Sequence, residues 1–233
     1  MSGNEESNER CLGLIGGLGV GATIHYYQEL VKEHSARGRV PSLLIVHADV
    51  NRVLRDAATG ETRQLAAYLA ELLERLSSAG ARIAAIPAVT PHICMAELLE
   101  ISPIPLVSLP AAILHEIQTR QLKRVALFGT RFTMETRMFG QLPGVEVVVP
   151  SADEVDLIHA AYVQIVNAGC GTEEHYQRLR AIAHALYERE RVEAVVLAGT
   201  ELSLIFNETN TDFPHIDGTR VHIAAIMRDL LAV

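Results

Sequence analysis

The side chains able to do chemistry sit at the ends of short apolar runs. Segment Ala85-Ile86-Pro87-Ala88-Val89-Thr90-Pro91-His92 reads as a buried strand that runs into a helix, and Val195-Val196-Leu197-Ala198-Gly199-Thr200-Glu201-Leu202 repeats that design about one domain length later. Thr90, His92, Thr200 and Glu201 therefore stand where two strands give way to helices. His92, near a helix start, should have its cationic form disfavoured, so it can serve as a neutral base or donor; a hydrogen-bonded structural histidine reads equally well. Glu201 can act as an acid/base if burial raises its pKa, or can simply stabilise the first turn of its helix. His222, in Asp217-Gly218-Thr219-Arg220-Val221-His222, is a third acid/base candidate.

Three further strand ends carry binding chemistry. Gly16-Gly17-Leu18-Gly19-Val20-Gly21-Ala22-Thr23 follows a strand and opens a helix, so its N–H groups face any anion placed there. It lacks the spacing of a dinucleotide fingerprint and the lysine of a P-loop. In Gly129-Thr130-Arg131-Phe132-Thr133, the hydroxyls of Thr130 and Thr133 can cap a helix or donate to a carboxylate. After His47-Ala48-Asp49-Val50 come Asn51 and Arg52. The fork of Arg52 suits bidentate pairing, although a lone surface arginine reads as well.

The elements that position these groups alternate. Leu12–Ile15, Leu43–His47, Ile83–Ile86 and Leu106–Val107 read as strands, with helices over 23–36 and 62–79, the second marked by Leu65, Tyr68, Leu69, Leu72, Leu73 and Leu76. A second series follows. Strands at 124–128, 145–149 and 194–197 are interleaved with a helix ending at Gly169 and Gly171, a helix over 173–189, and a closing helix through Ile223, Ile226, Met227, Leu230 and Leu231. Strands alternating with helices imply an α/β fold of parallel sheets covered on both faces, with ligands beyond the carboxyl ends of the strands. Two similar αβα lobes are expected, 11–110 and 111–218. The break falls near Leu109 to Gln121, and the helix over 219–233 returns to the first lobe.

Composition sets the bounds. The chain has 233 residues, 49% of them apolar, which is ample for a large core. A net charge of −8 with no Lys/Arg block argues against nucleic acid or an anionic membrane as partner. The polar, acidic stretch Met1–Arg10 lacks the apolar core of a signal peptide, and no apolar run reaches transmembrane length. Cys11, Cys94 and Cys170 form no CxxC and leave one unpaired, which fits a reducing cytoplasm. No HExxH, Cys/His cluster or GxSxG elbow occurs, so no metal is expected.

Together these motifs resemble the aspartate/glutamate/hydantoin racemase superfamily. Its members begin with Gly-Gly-Met-Gly-Pro-x-Ala-Thr, carry Gly-Thr-x-x-Thr-Met in the second lobe, and place Cys-Asn-Thr-x-His and Gly-Cys-Thr-Glu at the two catalytic strand ends. The resemblance spans Leu12 to Ala232. It implies two lobes about a pseudo-twofold with the ligand cleft between them, a homodimer, no pyridoxal phosphate or other cofactor, and an amino acid or other small carboxylate as substrate. It assigns substrate binding to Gly17, Asn51, Arg52, Thr90, Thr130, Thr133 and Thr200. The two family cysteines, the opposed bases of the racemase reaction, correspond to Ala88 and Gly199, and Val89 replaces the family asparagine. Ordinary two-thiol racemisation is thereby removed. Three readings follow: an isomerase whose acid/base groups come from His92, Glu201 or His222 with Thr90 and Thr200 beside them; a lyase or hydrolase in the same cleft; or a non-catalytic carboxylate binder. Retention of His92 and His222 favours the first.

Overall fold

The computed structural model describes residues 10–232; the acidic N-terminal stretch up to residue 9 lies outside the described residues, as does residue 233. The first lobe runs β1 (Leu12–Gly16), α1 (Val20–Ser35), β2 (Leu43–His47), α2 (Val50–Ala58), α3 (Thr62–Ser78), β3 (Ile83–Ala85), a 3-10 turn (Thr90–Cys94), α4 (Met95–Ile101) and β4 (Leu106–Val107). Helix α5 (Leu109–Thr119) leads into the second lobe: β5 (Arg124–Phe128), α6 (Arg131–Glu135), β6 (Glu146–Val148), α7 (Ala152–Ala168), α8 (Glu173–Glu190), β7 (Ala194–Leu197), a second 3-10 turn (Thr200–Leu204), β8 (His215–Asp217) and α9 (Gly218–Leu231).

Each lobe holds one four-stranded sheet, ordered β2-β1-β3-β4 and β6-β5-β7-β8, with every pairing parallel. The second order is the first shifted by four strands, so the pseudo-twofold is written into the topology. Central strands β1, β3 and β7 are buried throughout and read as unbroken apolar runs, as doubly covered parallel strands must.

The closing helix packs its apolar face on the first sheet, while its start meets β7 and β8 of the second. Ile223, Ile226, Met227 and Leu230 share one core with Leu12 and Leu14 of β1, Ile83 and Ala85 of β3, and Val107 of β4. The second lobe has its own core around Phe128, Ile158, Leu186 and Val196. Val89 and Leu109, both at carboxyl ends of first-lobe strands, pack into that second core, so the lobes adhere through the strand ends themselves.

The structure departs from the sequence reading at several joints. Asn51 and Arg52 lie in a helix the sequence does not announce: α2 starts at Val50, because the Asp49 side chain accepts from the N–H groups of Asn51 and Arg52 and caps the helix. The stretch Leu109–Gln121 is not a bare connection but mostly α5, capped by Ser108. Strand β8, only three residues long, and α4 have no periodicity long enough to show in the sequence. Among the described residues, no helix is long and apolar enough to cross a membrane.

Candidate active site

At the first strand end, β3 runs into the Thr90–Cys94 turn. Pro91 sits in its first turn, where a missing N–H costs nothing. Ala88 and Val89 are buried, and Thr90 is half-buried. His92 is fully buried, and both ring nitrogens are engaged. Leu109 N–H donates to Nε2 (3.2 Å), so the ring proton lies on Nδ1 and goes to the Ala88 carbonyl (2.9 Å). Burial, more than any helix end, pushes its pKa down to about 4. Its own carbonyl accepts from the Gln141 amide of the second lobe at 2.7 Å. His92 therefore ties the strand end to the start of α5 and presents no open lone pair.

His222 is held the same way. Nε2–H donates to the Val107 carbonyl (2.9 Å), and Nδ1 accepts from the Tyr26 hydroxyl (2.9 Å). Burial, with His92 nearby, pushes its pKa down to about 3, and the two rings stand edge-on with centroids 6.3 Å apart. The chain Tyr26–His222–Val107 bolts α9 to α1 and β4. His222, expected as a replacement base, has both ring nitrogens bonded inside the core.

The second strand end differs in kind. Glu201 is only 1% exposed and Thr200 only 3%. Glu201 Oε2 accepts from the Tyr162 hydroxyl (2.6 Å) and from the Thr200 hydroxyl (3.0 Å). The other carboxylate oxygen, Oε1, lies against Gly19 of the first lobe, so close that a Cβ there would overlap it. The glycine loop thus admits the carboxylate at the amino end of α1, where the helix dipole favours negative charge. Gly199 is equally constrained: a Cβ would meet Cδ2 and Cζ of Tyr162 at 2.8 Å. The Thr200 carbonyl accepts from Thr219 of α9 (3.1 Å), which ties this turn to the closing helix.

The remaining candidates divide. Thr130 caps α6, accepting from Thr133 N–H at 3.1 Å, and its hydroxyl lies 2.9 Å from that of Thr133. Two hydroxyls bonded to each other leave one O–H proton to give away, so capping and ligand binding are compatible. Gly129 abuts Gly199, bringing the Thr130 end beside the Thr200 end. Gly17 adopts φ of +83° with the His47 ring packed over it, a shape only glycine allows cheaply. Arg52 is already employed: its guanidinium stacks 4.2 Å over Tyr68 and reaches Asp56 at 3.8 Å. Asn51 is exposed in the first turn of α2, which packs against the Thr90 turn.

Tyr162 was legible in the sequence only as an apolar-face marker of a helix. What could have flagged it is the missing side chain at Gly199, which leaves room for a ring arriving from elsewhere. A cavity of about 800 Å³ opens between α1, α9 and the segment 203–209. Its charges are largely matched, Lys32 to Glu29, Arg37 to Glu33 and Arg220 to Glu208, which leaves no net charge to select a carboxylate. Among the described residues no cluster of three or more His, Cys, Asp or Glu could hold a metal.

The profile of the Asp/Glu/hydantoin racemases matches residues 15–226, through both strand ends and into α9. The chain belongs to the Asp/Glu/hydantoin racemase family. Similar solved structures agree with its fold. A putative Asp/Glu racemase from Yersinia pestis superposes with a TM-score of 0.82 at 24% identity, covering 95% of this chain and 99% of that one. An aspartate racemase homologue from Pyrococcus horikoshii OT3 gives 0.80 at 24% identity over the same shares. The aspartate racemase of Picrophilus torridus gives 0.74 at 19% identity, covering 95% of this chain and 94% of that one.

Proposed function

We propose that the protein is an Asp/Glu racemase-like isomerase, independent of pyridoxal phosphate, that moves a proton at the α-carbon of an amino acid or other small carboxylate using groups other than thiols. The observation that carries this reading is Glu201: a buried carboxylate with two hydroxyl partners, at the second strand end, where the lobes meet. A buried carboxylate in a dry interlobe contact is well placed to exchange a proton. His92 and His222 leave the list of bases because all four ring nitrogens are bonded. Thr90 and the Thr130–Thr133 pair supply hydroxyl donors for the substrate carboxylate, while the Thr200 hydroxyl is given to Glu201. With one acid/base end, the chemistry is one-sided: the proton leaves and returns on the face of the second lobe, so the reaction at that carbon is proton exchange without inversion. Entry of the substrate requires the lobes to part, because Ala88, Val89, Thr200 and Glu201 are all buried. The reading includes a cytoplasmic homodimer. Val20, Ile24 and Tyr27 stand exposed on α1 with Ile45 of the edge strand, a face suited to a second copy, and sedimentation of the wild type and of Ile24→Glu checks it.

Incubation with amino acids and small carboxylates in heavy water, read by proton NMR, should show deuterium at the acidic carbon. Glu201→Gln should lower that exchange by ~10² or more. A specific observation favours a second reading, a carboxylate binder without catalysis: neither strand end carries a thiol and both histidines are spent. Calorimetric binding of a carboxylate with no exchange of any of them would decide for the binder.

A further inference from the structure

The side chain missing at Gly199 has a physical replacement. Tyr162 reaches across from α7, and the Cδ2–Cε2–Cζ side of its ring fills the volume into which a side chain at 199 would project. Its hydroxyl is not left to chance. It donates to Glu201 Oε2 at 2.6 Å, and Thr200 donates to the same oxygen at 3.0 Å. Burial, reinforced by the neighbouring Glu201 carboxylate, holds the phenol pKa well above its ordinary value, so the oxygen keeps its proton while that proton points at a base. A phenol so placed can pass a proton without ever standing alone as a phenolate.

We propose that Tyr162 takes the place of the missing second-lobe thiol, with Glu201 behind it as the resting place of the proton. The idea rests on the proton-transfer reading given above. As the substrate C–H bond breaks, its proton goes to the Tyr162 oxygen, and the proton Tyr162 held goes to Glu201 Oε2. The electron pair left on carbon moves into the adjacent carbonyl to give an enolate, and Glu201 becomes a neutral acid. The reverse steps return the proton to the same face. Tyr162 is the catalytic residue in this scheme, and Glu201 acts through it.

The relay also selects its substrate. A carboxylate is a weaker base than a thiolate by about four pKa units in their ordinary states. The carbon acid must therefore be stronger than that of an amino acid. A small 2-oxo carboxylic acid fits, because the protons on the carbon next to its ketone are already loosened, and the reaction becomes keto–enolate interconversion, with the proton leaving and returning on one face.

The test uses the full chain with 2-oxoglutarate, 2-oxobutyrate, L-aspartate and D-aspartate in heavy water. Wild type should place deuterium on one face of carbon 3 of a 2-oxo acid. Tyr162→Phe keeps the ring and removes only the oxygen; it should lower exchange by ~10² or more while leaving binding within about 3-fold. Tyr187→Phe, an exposed tyrosine on α8, should change nothing. Full exchange in Tyr162→Phe, with exchange lost in Glu201→Gln, overturns the role of Tyr162 and leaves the isomerase reading standing. Exchange of aspartate but of neither 2-oxo acid overturns the substrate class. No exchange of any of the four overturns the isomerase reading and the relay together. The placement of the ring is tested without activity: Gly199→Ala should lower the melting temperature in wild type but not in a Tyr162→Ala background. Equal losses in both would show that the ring does not fill that volume.

Discussion

The two strand ends have the same topology and opposite chemistry. At the first, Ala88 and Val89 are apolar, and the one polar ring, His92, is bonded at both nitrogens to backbone. At the second, Thr200, Glu201 and Tyr162 form a compact hydrogen-bonded group around an ionisable carboxylate. A pseudo-symmetric fold therefore supports an asymmetric site. At Ala88 the end is sealed, with Val89 packed into the apolar core of the other lobe. At Gly199 the space is filled by the ring of Tyr162. Topology repeats because backbone pairing dictates it; side-chain chemistry need not, because each end is filled by different neighbours.

The largest effect should come from acidifying the histidine-built side of this contrast. His92 and His222 are buried neutral, with folded pKa values near 4 and 3 against an ordinary value near 6.5. Below pH 6.5 the unfolded chain binds more protons than the folded one, so their contribution is complete above that pH and fades as pH falls toward 4. At pH 4 the loss should be roughly 3 kcal/mol for each histidine. Denaturant titrations from pH 7 to pH 4 measure it. His222→Gln and His92→Gln should each flatten the pH slope; an unchanged slope in both would remove the histidines as its cause.

A smaller effect separates the strand ends directly. Gly199→Cys must displace the Tyr162 ring and should cost about 1–3 kcal/mol. Ala88→Cys adds a single atom beyond the existing Cβ at a site with 9% exposure and should cost less. Chemical denaturation of the two single variants makes the comparison. Equal costs would mean that the second end is not specially filled and would dissolve the contrast.

The smallest effect concerns Arg52, the tempting carboxylate clamp. If it serves Tyr68 and Asp56, Arg52→Ala should cost about 0.5–1 kcal/mol of stability and leave carboxylate binding unchanged. A weakened binding constant with unchanged stability would return Arg52 to the substrate site.

Much of the fold was legible because its signals are local. Alternating apolar runs and helix periods mark β1 to β3, α3, α7, α8 and α9, and glycines end the strands where the motifs require. Helix α2 escaped because its start is set by one side chain, Asp49, capping two N–H groups, and β8 escaped because three residues carry no period. The site was legible in part. Thr200 and Glu201 do lie together, and Thr130 does lie beside them through Gly129 and Gly199. His222 carried the residue type of a base, but residue type does not report whether both nitrogens are bonded.

By itself the sequence determined the two-lobed parallel architecture, the family, and the lack of a thiol at positions 88 and 199, since each follows from residue types along a continuous stretch. Only the tertiary structure decided which polar groups remain chemically free. That depends on partners far away in the chain, such as Val107 for His222, Gly19 for Glu201 and the space at Gly199 for Tyr162. Burial and hydrogen bonding act through space, and no local pattern in a sequence records them.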